Sequence, residues 1–413
     1  MRARRLAARW LIPVEGAPIE RAALLIDSDG RIADVGPDRV VARPPDAAAE
    51  EFGQAVIIPG LINTHTHLEL TGFAGQIQER EFSSWIRRLR ELKATRTSSE
   101  FVQAARRGLQ ICYAAGVTTV ADTGDSDSVI QVLAESDGSG IAYLEVFGPD
   151  PSQSQTSLGS LRDRVIRAGR WAVQRVRVGV SPHAPYTVSA PLLAAVARWS
   201  RAEGLPLAIH IAESRAETEL LQSGSGTFAA AWAQRGIPLP QSLGRTPVEW
   251  LAANGGLSEL TLCIHAVQVV PGDIQLLADA GAAVAHCPLS NRAHGHGTAP
   301  LPSLLEAGVR VGLGTDSEVS VSHLDLLAEA RAARELARLS ANEVLDLCTL
   351  RGARALGLES ETGSLRPGKW ADLVVIRLPS TESEADPVEH VIASRSADVM
   401  LTCVGGRDVY RPL

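Results

Sequence analysis

The sequence predicts an α/β fold, a (β/α)8 TIM-type barrel with a small β-sandwich domain built from both chain termini. Three observations carry that expectation. Eight strand-like segments, mostly separated by amphipathic stretches, run through the middle of the chain. Histidines and carboxylates recur near the C-terminal ends of those segments. Both ends of the chain consist instead of short apolar runs punctuated by turn residues.

The N-terminal stretch "MRARRLAARWLIPVEG" has the basic start of a leader peptide. Arg9 interrupts its apolar run and Pro13 and Glu15 follow, so it reads as a first strand. "AALLIDSDGRIADVG" reads as a hairpin turning at Asp27 to Gly30. At the other end, "ADLVVIRL" and "DVMLTCVGGRDVY" are short strands in the same style, and "LPSTESEADPVEH" reads as a surface loop. The expected division is residues 1–58 and 366–413 for the small β domain and 59–365 for the barrel.

The barrel strands expected, in order, are "AVIIPGLINTH", "GVTTVADTG", "GIAYLEVFG", "VRVGVSPHA", "LPLAIHIAES", "LTLCIHAVQ", "AAVAHCPLS" and "VRVGLGTDS". Helical stretches lie between most of them. "SSEFVQAARRGLQICYAAG" has Ser99 as its expected N-cap and Gly116 as its stop, and "APLLAAVARWSRAEG" repeats the pattern. The rival architecture, a doubly wound open sheet, lacks its phosphate-binding G-x-G-x-x-G after the first strand.

Length and composition narrow the function classes. A chain of 413 residues suits one large domain with a smaller one. A net charge of -7 argues against a nucleic-acid partner, which would need a basic face. No apolar run approaches the roughly 20 residues of a membrane span. The five cysteines (Cys112, Cys263, Cys287, Cys348, Cys403) are odd in number and form no C-x-x-C, which reads as buried free thiols in a reducing cytoplasm. The expected partner is a small-molecule substrate, and a homodimer is the default assembly.

The strand ends carry the chemistry. Strand one ends in His65 and His67, strand four carries His183, and strand five carries His210 with Glu213. Strand six has His265, strand seven His286 and strand eight Asp316. In this barrel those ends face one cavity. Residues i and i+2 of a strand share a side, so His65 and His67 both face the interior. With His210 and Asp316 they form an N₃O set that suits one divalent metal, Zn²⁺ ahead of Fe²⁺ or Mn²⁺. Such an ion lowers the pKa of water toward about 7 and supplies hydroxide at neutral pH. Glu213 is placed to move a proton from that water to a leaving nitrogen, with His265 orienting the water or polarising the substrate. The reaction class is metal-assisted hydrolysis of a C–N bond.

Each residue also has a plainer reading. A lone His-x-His is weak, a histidine on an apolar strand is more often core, and Asp316 after "GLGT" is able to cap a helix. Joint placement at successive strand ends outweighs these, because the plain readings require several independent accidents. His294 and His296, a second His-x-His in a Gly-rich loop, read as structural or pocket-rim residues. His323 and His390 read as surface or packing residues, and the Arg87-Arg88-Arg90 cluster after Trp85 as a solvated helix face.

The segments "PGLINTHTHLEL", "SPHAPYTVS", "AIHIAES", "IHAVQV", "AHCPLSNRAHGHGTAP" and "VGLGTDSEVS" resemble the amidohydrolase superfamily, closest to its aminohydrolase branch. That branch covers chlorohydrolases, S-adenosylhomocysteine/methylthioadenosine deaminases, guanine and cytosine deaminases, and aminodeoxyfutalosine deaminases. The likeness spans nearly the whole chain with the motifs in order. It implies His65, His67, His210 and Asp316 as ligands of a single metal, Glu213 as proton shuttle, and His265 as the orienting histidine. It further implies His183 as the contact to the substrate heterocycle and Asp316 as an aid to deprotonating the water. The carboxylated lysine of binuclear members has no counterpart in "VSPHAPY".

"HTHLEL", "FSSWIRRL" and "CPLSNRAHGHGTAP" look most like aminodeoxyfutalosine deaminases; adenosine-type members more usually read "HTHLPM", so Glu69 departs from them. Glu69, Trp85, Arg88 and Asn291 are further candidate substrate contacts. A carboxylate at Glu69 is able to accept hydrogen bonds from a ribose or ring nitrogen, or equally to pair with an arginine. On local composition, Arg87 or Arg88 is able to pair a substrate carboxylate. The implied activity is deamination of an amino-substituted purine nucleoside or related N-heterocycle. Alternatives are an adenosine, methylthioadenosine, S-adenosylhomocysteine or guanine deaminase, an amide or halide hydrolase, or a non-catalytic binding protein.

Overall fold

The computed structural model describes residues 1–240, 243–379 and 386–412. Five strands open the chain: β1 (Arg4–Leu11), β2 (Ile19–Ile26), β3 (Ile32–Pro37), β4 (Ala48–Glu51) and β5 (Ala55–Pro59). Eight follow: β6 (Leu61–Thr66), β7 (Val117–Gly124), β8 (Gly140–Val146), β9 (Val176–Pro182), β10 (Leu207–Ile211), β11 (Thr261–His265), β12 (Ala283–His286) and β13 (Arg310–Leu313). Three close it: β14 (Leu373–Arg377), β15 (Val399–Val404) and β16 (Arg407–Tyr410). The chain forms two compact units, residues 1–63, 109–120 and 324–413 in one and 64–108 and 121–323 in the other.

The terminal strands form one mixed sheet in the order β16-β15-β14-β5-β1-β2-β3, with β4 also paired to β1. The expected hairpin is β2–β3. The Asp27 carboxylate accepts the N–H groups of Asp29 and Arg31, both at 2.9 Å, which closes the turn. Alternation along β1, β2, β5 and β14 sends Leu6, Leu24, Ile57, Leu373 and Val375 into one apolar core. The N-terminal segment is indeed a strand.

The segment "AVIIPGLINTH", expected as one strand, is two. The Gly60 N–H donates to the Asp372 carbonyl at 2.9 Å and ends β5's part in the terminal sheet; β6 then begins the barrel. Hydrophobicity is continuous across the junction, so no sequence signal marked the break beyond Pro59-Gly60.

The barrel sheet runs β13-β12-β11-β10-β9-β8-β7-β6. It closes where Thr66 bridges Asp316 in parallel, and the His65 carbonyl accepts the N–H groups of Thr315 (3.1 Å) and Asp316 (3.0 Å). Gly314 makes this closure possible, since a Cβ there would sit 2.8 Å from His65 Cβ. Every residue of β7 and β10 is buried, as parallel strands covered on both faces require. Each fully buried Leu or Ile contributes about 1.5–3 kcal/mol.

The helix Ser98–Ala114 is capped by Thr97, not Ser99. Thr97 N–H donates to Glu100 Oε2 (2.7 Å) and Glu100 N–H to Thr97 Oγ1 (3.4 Å), a reciprocal box that uses the first of three hydroxyls in a row. The helix Ala190–Glu203 ends at Gly204 in the left-handed region, as expected. All five cysteines are buried and free. Among the described residues, no helix is long and apolar enough to cross a membrane. Residues 380–385, the centre of the expected surface loop, lie outside the described residues.

Candidate active site

The strand ends deliver their polar side chains to one cavity of about 310 Å³, within the range of small-molecule sites. His67, His183, His210, Glu213, His265 and Asp316 line it, and Phe82, Trp85 and Ile86 of the helix Phe82–Lys93 cover it. His65, and His286 at the end of β12, are fully buried and lie outside the lining. Four non-glycine residues here adopt left-handed backbone: Ala212, His265, Ala266 and Asp316, with φ of 52°, 75°, 47° and 59°. Such conformations cost about 1–3 kcal/mol each and cluster where side chains must be aimed.

Donor atoms of His65, His67 and Asp316 lie within 4.8 Å of one another, as do those of His65, His210 and His265, and of His67, Glu145 and His210. Asp316 Oδ1 is 3.6 Å from Nε2 of both His65 and His67. Outer partners orient these side chains. His67 Nδ1 donates to the Thr123 carbonyl (2.8 Å), His210 Nδ1 to the His183 carbonyl (3.2 Å), and Ser290 Oγ to Asp316 Oδ2 (2.5 Å). Asp122 Oδ2 accepts Thr66 Oγ1 and the Leu68 N–H, each at 2.7 Å, and pins the chain around His67.

These hydrogen bonds test whether the site fits a metal. With both Nδ1 protons committed to carbonyls, His67 and His210 each present an Nε2 lone pair, and those nitrogens sit 3.3 Å apart. Two lone pairs at that distance share no proton; a cation satisfies both. Burial holds His65 down to about 4 and His67 and His210 below the usual range, so the imidazoles are neutral as ligation requires. Burial pushes the Asp316 carboxyl up, but the side-chain hydrogen bond with His65 and the neighbouring histidine rings hold it well below the carboxylate range. Three neutral nitrogens and one anionic oxygen suit a divalent ion.

Glu213 faces this cluster. Its Oε1 is 3.4 Å from His265 Nε2 and 3.4 Å from His296 Nε2, and its Oε2 accepts the Tyr186 hydroxyl at 3.2 Å. Burial raises its carboxyl, yet the neighbouring His265 and His296 rings draw it down to about 2. Asn291, expected at the substrate, is fully buried; its Oδ1 accepts His265 Nδ1 at 2.9 Å and orients that ring.

Glu69, the expected selectivity residue, is also spent internally. It is 1% exposed, receives Lys93 Nζ at 3.0 Å and the Ser126 hydroxyl, and lies outside the cavity lining. Burial raises its carboxyl, and the Lys93 ammonium with the Ser126 hydrogen bond pulls it down to about 2. Lys93 Nζ also meets Asp125 at 2.7 Å, and both residues line the cavity. Replacing Lys93 by Met should destabilise the fold by about 3–5 kcal/mol, because Glu69 would be buried without its counter-ion. Urea unfolding checks this: a midpoint equal to wild type would show that the pair carries no such load.

Arg88 points away from the cavity and pairs with exposed Glu91 at 3.0 Å, whereas Arg90 of the same helix lines it. A helical face repeats every three to four residues, so Phe82, Ile86, Leu89, Arg90 and Lys93 share the inner side. Trp85 lines the cavity as expected, against His294 at 4.6 Å. His183 lines it too, with Nδ1 2.8 Å from Thr187 Oγ1 and Nε2 4.0 Å from Glu145. Glu145 was missed in the sequence, being one polar position in "GIAYLEVFG". It is 3% exposed, and burial pushes its carboxyl up to about 8.

A closed parallel barrel with a histidine–carboxylate cluster at its C-terminal mouth is the architecture of a metal-dependent hydrolase. Residues 56–409 match the model of the amidohydrolase family, and the chain belongs to that family. It is 32% identical over 394 residues to the 5-methylthioadenosine/S-adenosylhomocysteine deaminase of Syntrophobacter fumaroxidans, covering 92% of this chain and 86% of that one. It is 34% identical over 329 residues to the aminodeoxyfutalosine deaminase of Deinococcus radiodurans, covering 75% and 77%. A solved adenosine deaminase from Xanthomonas campestris with bound zinc shares the fold at a TM-score of 0.86, with 24% identity over 98% of this chain and 92% of that one.

Proposed function

We propose that this chain is a hydrolytic deaminase that removes the amino group of an amino-substituted purine nucleoside or related N-heterocycle as ammonia. The observation that carries the reading is the Glu213 carboxylate, beside His265 and facing the same cavity as His67, His210 and Asp316, with His65 buried against Asp316. Those four residues would hold one divalent ion, Zn²⁺ as the first choice, which when bound activates water as a nucleophile at neutral pH.

The chain's own residues do the rest. Glu213 takes one proton from the attacking water and passes it to the ring nitrogen beside the amino-bearing carbon. The water's second proton is then carried to the amino group, which leaves as ammonia as the C–N bond breaks and the carbonyl forms. Asp316 is the second base for that water. His265, held by Asn291, orients the attack, and His183 faces the heterocycle. The flat cover of Phe82 and Trp85 is suited to an aromatic ring. The carboxylate-pairing role expected of Arg87 or Arg88 passes to Arg90, on the inner face. We place the enzyme in the cytoplasm, as a homodimer.

The curated relatives support a nucleoside over a free base, because both are named for adenosine-type compounds. The test is ammonia release from adenosine, 5′-methylthioadenosine, S-adenosylhomocysteine, guanine and aminodeoxyfutalosine by the zinc-loaded protein. Turnover is expected with at least one nucleoside and not with guanine. Release of chloride or carboxylate from triazine or amide substrates, with no ammonia from the nucleosides, would replace this reading with its rival.

A further inference from the structure

We infer that His296 is a positioning residue for Glu213, fixing the carboxylate from the side opposite His265; this rests on the deaminase reading above. The second His-x-His of the chain thereby gains a role in the reaction, divided unequally between its two members.

The local sequence aims His296 inward. The helix Pro288–Ala293 ends at His294, and the chain then passes through Gly295 and Gly297, with φ of +67° and +105°. Residues with a Cβ rarely adopt such values, so glycine on both sides permits a tight double turn. The His296 N–H donates to the Asn291 carbonyl at 2.9 Å, and Gln268 Nε2 donates to the His296 carbonyl. The backbone is thus held on both sides, and the side chain is 4% exposed.

The carboxylate is held at both oxygens. Oε1 lies between His296 Nε2 and His265 Nε2, each at 3.4 Å, and Oε2 accepts the Tyr186 hydroxyl. A proton shuttle must present one oxygen to water and then to the ring nitrogen, so rotation about its last torsion competes with transfer. His296 resists that rotation. Phe82 packs against its ring in a T-shaped arrangement with centroids 4.5 Å apart, and an apolar neighbour strengthens the contact by lowering the local dielectric. His294, stacked on it at 5.4 Å, lines the cavity and packs on Trp85 instead.

The plain alternative is that His296 only fills space beneath Phe82. An apolar ring would fill that space equally and leave Glu213 Oε1 to His265 alone. The groups facing Glu213 are His265 from β11, His294 and His296 from the turn, Tyr186 from the segment after β9, and Glu217, which accepts the Glu213 N–H at 2.9 Å. The depressed Glu213 carboxyl, with His296 among its causes after burial and His265, agrees with a donor at that nitrogen.

The test compares wild type, His296→Ala and His296→Gln as full-length, zinc-loaded protein, with 5′-methylthioadenosine and aminodeoxyfutalosine as probes. His296→Ala is expected to lower kcat by about 10–100-fold with KM changed less than about twofold. The acid limb of kcat/KM should move to higher pH, because the carboxyl loses a partner of its ionised form. His296→Gln, which retains an N–H donor, should recover most of kcat, and zinc content should stay at the wild-type value in both. Wild-type kcat in His296→Ala would overturn the inference while leaving the deaminase reading intact. So would a loss that Gln does not recover with an unmoved pH profile, or one that tracks lost zinc. A wild-type protein that releases no ammonia from either probe overturns both.

Discussion

Glu213→Gln is expected to lower kcat by about 10²–10⁴-fold while leaving bound metal and thermal stability at wild-type values. On the free-energy scale that is roughly 3–5 kcal/mol of lost transition-state stabilisation. The amide matches the carboxylate in shape and still accepts the Tyr186 hydroxyl through its oxygen, but its NH₂ replaces the oxygen that faces His265 and His296, and it loses the capacity to take and return a proton. KM should change little if Glu213 acts in proton transfer rather than in ground-state binding. Steady-state ammonia release, read with elemental analysis of the same preparation, checks both halves. A variant within tenfold of wild type would remove Glu213 from the shuttle role and leave Asp316 as the base.

The second large effect concerns the metal. The protein is expected to carry one divalent ion per chain, and His67→Ala or His210→Ala to retain less than about a tenth of it, since each removes one of four donors. Chelation of the wild type should lower its melting temperature. An ion at 100 times its Kd contributes about 2.7 kcal/mol to the folded state. In the His67→Ala/His210→Ala double variant that chelator response should vanish, because the pair of facing lone pairs is gone. A double variant that keeps full metal and the full chelator shift would show that the ion sits elsewhere.

Much of this site was legible in the sequence, and the reason is the strand. His65 and His67 share a side because side chains alternate with a period of two, and His210, His265 and Asp316 sit where apolar runs end. Strand ends of a barrel converge on one mouth, so each local reading supported the others. The terminal hairpin at Asp27–Gly30 was readable for a similar reason, since its turn chemistry is local. The break at Gly60 was not. Val56–Ile58 and Leu61–Ile62 are apolar on either side of Pro59-Gly60, and which sheet each joins depends on partners far along the chain, Leu373–Arg377 for β5.

By itself the sequence determined the fold class and which histidines and carboxylates stand at the strand ends, because periodicity and strand order are written in residue type and spacing. Only the tertiary structure decided who touches whom among side chains on loops and caps. Glu69 follows the histidines by two residues, yet a short helical turn at Leu68–Leu70 carries it away to Lys93, which lines the cavity in its place. His296 lies 83 positions from Glu213 and meets its carboxylate through a double glycine turn. Arg90 faces inward and Arg88 outward on one helix because the helix docks on the side of Phe82 and Ile86. In each case the side chain's partner is set by where distant backbone segments are held, and charge pairing acts through space without regard to distance along the chain.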